Sequence, residues 1–115
     1  MYIYSITIKQ HKIKATSAII KVEGIKFAKV YKHYDGNPGS TLPWLKDFNE
    51  RFTKQRGDDP EYKFAQLLRS SISEAKQFDL DDSQYTGWGV IEYNIGRCTD
   101  FQYTLHKDGA VTYIR

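Results

Sequence analysis

SAIIKVEGIKFAKVYKHYDGNPG, residues 17–39, holds two apolar runs followed by a cluster of turn residues. Ser17–Val22 and Ile25–His33 are rich in strand-forming side chains, and Glu23-Gly24 between them has the form of a two-residue hairpin turn. Asp35-Gly36 and Asn37-Pro38-Gly39 then turn the backbone sharply. Tyr31, His33, Tyr34 and Asp35 therefore gather where a strand leaves a sheet. Such positions carry functional side chains on rigid support.

Upstream, Tyr2, Tyr4, Ile6 and Ile8 share one face of a further predicted strand, residues 2–8, within an N-terminal extension over residues 1–14. Downstream, Thr41 predicts a helix cap with Pro43 in the early turn. Trp44, Leu45, Phe48 and Phe52 then fall on one helical face, and Gln55-Arg56-Gly57 closes the element. Asp59-Pro60 opens a second helix with the stripe Phe64, Leu67, Leu68, Ser71, Ile72 and Ala75, ending near Phe78. Strand chemistry returns in Val90–Ile95 after Gly87-Trp88-Gly89, and in Phe101–His106 after a Gly96 turn. Lys107-Asp108-Gly109 leads into Val111–Ile114 as a hairpin. The order β-β-β-α-α-β-β-β predicts one α+β domain over residues 1–115, an antiparallel sheet of about five to six strands with both helices on one face.

At 115 residues the chain can build one core, and 40% hydrophobic with 15% aromatic content is globular. No apolar run approaches the roughly 18 residues of a membrane helix, and the first residues lack the features of a secretory signal. Cys98 is the single cysteine, so no internal disulfide can form and a cytoplasmic location is expected. Charge is uneven: residues 1–33 carry seven lysines against Glu23 alone, whereas residues 34–115 carry ten Lys/Arg against thirteen acids. A basic sheet face beside an acidic remainder attracts nucleic acid or an acidic partner. Lysines that merely guard exposed strands against aggregation give the same pattern.

His33-Tyr34-Asp35-Gly36 has an echo in His106-Lys107-Asp108-Gly109. In each, His and Asp point to the same face of an extended chain. If the two turns meet, His33, Asp35, His106 and Asp108 form a metal or proton-transfer site of a small hydrolase or nuclease. Ordinary Asp-Gly turn chemistry explains both copies as well. Asp79, Asp81 and Ser83 open like a calcium loop, but Gln84 and Val90 stand where its glycine and bidentate glutamate belong. Trp88 between two glycines reads either as a core plug or as a stacking platform. Tyrosines 2, 4, 31, 34, 93, 103 and 113 fall in or beside strands, where half-buried sheet surfaces and single-stranded nucleic acid both favour them. His11 reads as a surface residue and Cys98 as a small filler near a turn.

Ser17-Ala18-Ile19-Ile20-Lys21-Val22 and Tyr31-Lys32-His33-Tyr34-Asp35-Gly36-Asn37-Pro38 together resemble a family of small uncharacterised proteins of bacteria, phages and mobile elements. Its shared core reads Tyr-x-His-Trp-Asp-Gly-Tyr-Pro. Phe64-Ala65 and Tyr103-Thr104-Leu105 before Asp108-Gly109 follow in a similar order, so the resemblance covers residues 16–115. Tyr34 stands for the usual Trp and Asn37 for the usual Tyr. The resemblance implies an α+β domain and a host-interaction role, with no activity attached.

These readings converge on a small non-enzymatic binding or regulatory protein with a ligand site of Tyr31, His33, Tyr34 and Asp35, flanked by Trp88 and Tyr103. The expected partner is a nucleotide, a nucleic acid or an acidic host protein surface. No cofactor or metal is expected outside the hydrolase alternative. A third reading is a homo-oligomer paired through the strand at residues 2–8.

Overall fold

The structure, a computed structural model, describes residues 16–70 and 87–115. The strand expected at residues 2–8, the helical stripe beyond residue 70 and the acidic turn at residues 79–83 lie outside these residues. The elements are β1 (Ala18–Val22), β2 (Ala28–Lys32), α1 (Pro38–Arg56), α2 (Pro60–Arg69), β3 (Trp88–Glu92), β4 (Phe101–Leu105) and β5 (Val111–Ile114). They form an α+β fold whose five described strands lie in the order β3-β2-β1-β4-β5. No described helix is long and apolar enough to cross a membrane.

The sheet is mixed, not antiparallel throughout. β1 pairs antiparallel with β2 but parallel with β4, Ala18 opposite Phe101 and Val22 opposite Leu105. In a wholly antiparallel sheet the Gly96 turn could fold β3 back on β4. Instead β3 pairs with β2, β5 pairs with β4, and β3 and β4 run the same way on opposite sides of the β1–β2 pair. Residues 93–100 must therefore carry the chain back across three strand spacings and one strand length. With spacings of about 4.8 Å and four steps of about 3.3 Å between the Glu92 and Phe101 levels, that diagonal is about 20 Å. The nine Cα steps from Glu92 to Phe101 span at most about 31 Å. The segment therefore has room for a turn, in which Ile95 N donates to Glu92 O at 3.1 Å, before it runs on as a strap.

Register sorts the side chains. Ala18, Ile20, Val22, Val30, Tyr103, Leu105 and Val111 share the face on which Leu45 of α1 and Phe64 and Leu67 of α2 complete one core. Full removal of a Leu or Ile side chain from water contributes about 1.5–3 kcal/mol. This face therefore anchors both helices, as the sequence predicts. The strap crosses the other face, since Lys29 Nζ donates to Ile95 O at 2.9 Å and the Arg97 guanidinium lies 4.1 Å from the Tyr31 ring centre.

Three boundaries differ from expectation, the first being β3, which covers Trp88–Glu92 in place of Val90–Ile95. Glu23-Gly24 turns, with Gly24 at φ 100, but β2 begins only at Ala28 because Ile25 leaves the ladder to enter the core. α1 begins at Pro38, not at Thr41: Asn37 is its N-cap, Pro38 fills the first turn where an N–H is dispensable, and Pro43 lies inside the helix. Thr41 instead sits buried in that helix and donates its hydroxyl to Asp35 O at 2.5 Å. α1 ends at Gly57, φ 70, whose N–H donates to Thr53 O. Asp59 caps α2 as predicted, its carboxylate accepting from Tyr62 N at 3.4 Å.

Candidate functional site

Tyr31, His33 and Tyr34 stay in contact in space, whereas Tyr103 lies in the core and Trp88 on the helix face. Tyr31 and His33 extend on the strap side of β2, the phenol and Nδ1 sharing a hydrogen bond of 2.7 Å. With the phenol donating, the outer imidazole nitrogen carries the proton. His33 is exposed and Tyr31 half-buried. Tyr34 turns to meet the His33 ring edge-on at 4.5 Å and packs over Gly87, where a Cβ would come within 2.8 Å of the tyrosine ring. Gly87 also has φ 74, so the Gly87-Trp88-Gly89 motif starts with a position that suits glycine on both counts.

Asp35 and Gly36 form the frame of the turn. Asp35 takes the left-handed conformation at φ 55, which Asp tolerates better than most residues, and its carbonyl accepts from the Ser40 and Thr41 hydroxyls. Gly36 is buried so tightly that a Cβ would stand 2.7 Å from Ala18 Cβ. Its N–H donates to Thr16 O at 2.8 Å and its carbonyl accepts from the Tyr103 phenol at 2.6 Å. Tyr103 itself has no solvent exposure, and burial pushes its pKa up to about 12. Trp88 lies on the helix face, with Lys32 Nζ 5.1 Å from its ring centre and Trp44 edge-on at 5.7 Å.

The two His-x-Asp-Gly turns sit at opposite ends of the sheet. His33 extends β2 beyond the Ala18–Lys32 pair, and His106 follows β4 beyond the Val22–Leu105 pair. About six residues at about 3.3 Å each, or about 20 Å, separate the two levels. Ligands of one ion sit about 2–2.5 Å from it, so no single metal spans both pairs. Among the described residues no group of three or more His, Cys, Asp or Glu side chains is arranged to hold a metal ion. The far-end residues are engaged locally. Asp108 accepts from Ala110 N at 2.9 Å, and His106 Nε2 shares a bond of 2.7 Å with Thr112 Oγ1. Glu23 closes that end by accepting from Lys107 N at 2.8 Å, and this bond is the main cause that holds its carboxyl below the ordinary value.

What the strap face does assemble is a set of cations on aromatic rings. Lys21 and Lys29 stand beside one another across β1 and β2, with Nζ atoms 5.3 and 5.8 Å from the Tyr93 ring centre. Burial lowers the Lys29 pKa first, and the charge of Lys21 lowers it further. Lys29 is only 8% exposed, so it fastens the strap through Ile95 O and leaves Lys21 as the outer charge. Two positions along β2 from Lys29, Arg97 covers Tyr31. Neither Lys21, Lys29 nor Arg97 has a carboxylate partner among the described residues. A concavity of about 270 Å³ opens at the Lys21–Tyr93 end, lined also by Lys26, Thr104, His106 and one carboxylate, Glu23, which is engaged with Lys107 N. Cys98 is exposed on the strap, not a buried filler.

Arg97 escapes a reading of the sequence because nothing local marks it. Lys21, Lys29 and Tyr93 are visible as strand residues, but their convergence depends on the register of β1, β2 and β3. The chain matches no protein-family profile, no characterised protein and no solved structure.

Proposed function

We propose that the protein is a binding module for single-stranded nucleic acid that docks on the strap face of its sheet. The observation that carries this reading is the pair of cation-on-tyrosine stacks, Lys21/Lys29 on Tyr93 and Arg97 on Tyr31, whose charges no described carboxylate neutralises. Bases stack on aromatic rings and on guanidinium planes, and phosphates follow the adjacent cations. Arg97 is exposed, so its outer plane offers a stacking surface backed by the Tyr31 ring. The two stacks rest on Lys29 and Tyr31, two residues or about 7 Å apart along β2. A flexible strand can bridge that gap with its phosphates toward Lys21 and Lys26. His33, exposed beside Tyr31, adds a hydrogen-bond donor at the same end.

Fluorescence anisotropy with labelled oligothymidine, oligouridine and a duplex of equal length tests the reading at low and high salt. Single strands should bind, with a salt slope of roughly −0.7 per phosphate contacted. Tyr93→Leu and Arg97→Gln should each weaken binding about 5- to 150-fold, the range of about 1–3 kcal/mol per stacked base. Salt-insensitive retention, or undiminished binding by both folded variants, would sink it.

A further inference from the structure

The helix layer carries a second surface that shares no residue with the strap face. Trp44, Phe48 and Phe52 follow one another along α1, and Tyr62 of α2 continues the row, with successive ring centres 6.2, 6.2 and 5.9 Å apart. The row floors a groove of about 680 Å³ between the two helices. Its outer members are open, Trp44 at 36% and Tyr62 at 43% exposure.

The rim is basic. Arg51, Arg56 and Arg69 line the groove against a single carboxylate, Asp47. Arg51 reaches Asp47 at 3.1 Å, but both are largely exposed, and such a pair holds its charge only weakly. Arg56 is committed to Asp59 at 2.8 Å and to the face of Tyr62 at 4.1 Å. Arg69 donates to the neutral Gln66 Oε1 at 2.9 Å and meets no carboxylate among the described residues.

We infer that this groove docks an acidic amphipathic helix of a partner protein. Three features select that occupant. The groove runs from Trp44 to Arg56, about 18 Å of helix axis at about 1.5 Å per residue, which matches about three turns laid alongside. An apolar floor between two helices receives anchors spaced at i, i+3 or i+4, and i+7. The rim charge then fixes the sign of the flanking residues, since carboxylates beside the anchors meet Arg51 and Arg69 while a basic helix is repelled. Trp, Tyr and Arg are also the side chains that dominate interface energies, and all three types converge here.

Panning the full-length protein against a random dodecapeptide phage library tests the inference. The selected peptides should be acidic with apolar residues at helical spacing, and a synthetic copy should alter tryptophan fluorescence on binding. The double variant Arg51→Glu/Arg69→Glu should bind that copy at least tenfold more weakly. The same peptide with its carboxylates changed to lysine should bind the double variant better than it binds the wild type. Tyr93→Leu should leave peptide binding unchanged, and the double variant should leave oligothymidine binding unchanged, so the two proposals fail separately. Selected peptides without acidic bias, equal affinity for the double variant, or self-association that occupies the groove with a second copy of the chain would each overturn it.

Discussion

The phenol of Tyr103 donates to Gly36 O from a site without solvent, and this bond ties β4 to the turn that follows β2. Burial is the main cause of its raised pKa, about 12, with Tyr113 adding to it. The folded value lies above the unfolded one, so the associated stability is present below about pH 10 and is lost as pH rises through about 12. An absorbance titration should show one tyrosine ionising well after its exposed neighbours, and Tyr103→Phe should remove that late step. The same variant strands the Gly36 carbonyl, which costs about 1–3 kcal/mol in urea unfolding. The Asp-Gly turn is plain in the sequence, yet the sequence alone casts Tyr103 as a ligand neighbour. Its partner stands 67 positions away, and no local pattern carries that contact. Asn49 escapes for a related reason. The predicted face of α1 follows apolar residues, whereas the buried face includes Asn49, which donates to His106 O and Ala110 O at 3.0 and 2.9 Å. Hydrophobic spacing cannot reveal a polar group buried to grip a turn.

At the scale of elements, the strap at residues 93–100 starts with a turn and is fastened to β2 where Lys29 grips Ile95 O. Deleting Asn94 and Ile95 leaves a reach of about 24 Å, still above the diagonal of about 20 Å, but removes the turn and the residue that Lys29 grips. Such a deletion should lower the thermal midpoint while melting stays cooperative. Inserting two glycines beside Gly96 should lower stability by less than about 1 kcal/mol, because loop closure depends weakly on length. Strand identities are legible here, as β3 and β4 fall within a few residues of the expected Val90–Ile95 and Phe101–His106. Their directions are not. A glycine between two strands suits a hairpin and a crossover equally, and only the placement of β4 beside β1 decides between them. The start of α1 is ambiguous in the same way, because Asn37-Pro38-Gly39 serves a turn or a capped helix, and Thr41 competes for the cap.

For the whole molecule, ionic contacts at the margins set the pH response. Lys107 N–H holds the Glu23 carboxyl below its ordinary value, and the Arg56 hydrogen bond does the same for Asp59. Both folded values are depressed, so the stability they supply is present above the ordinary carboxylate range and is lost as pH falls through the lowered values. Melting temperature should therefore decline below about pH 4, and Glu23→Gln should make that decline shallower. A decline as steep in the variant as in the wild type would remove Glu23 from the account. The uneven charge along the chain also takes a definite form. Lys21 fronts the strap side, Lys32 and Lys63 are buried on the helix side, and arginines 51, 56 and 69 line the helix groove. Net charge foretells an affinity for anions, but only packing divides the cations between two surfaces.

The parallel β1–β4 pair has one more consequence. Ser17 and Asp100, bonded at its head, are 83 positions apart. During synthesis the β1–β2 hairpin leaves the ribosome long before its other neighbour exists, so the middle strand waits with one flank unzipped. Closing so distant a contact slows assembly. That ladder can lock only once residues 101–105 have been made, which leaves a window in which a chaperone, or a neighbouring nascent chain, can claim the vacant edge first.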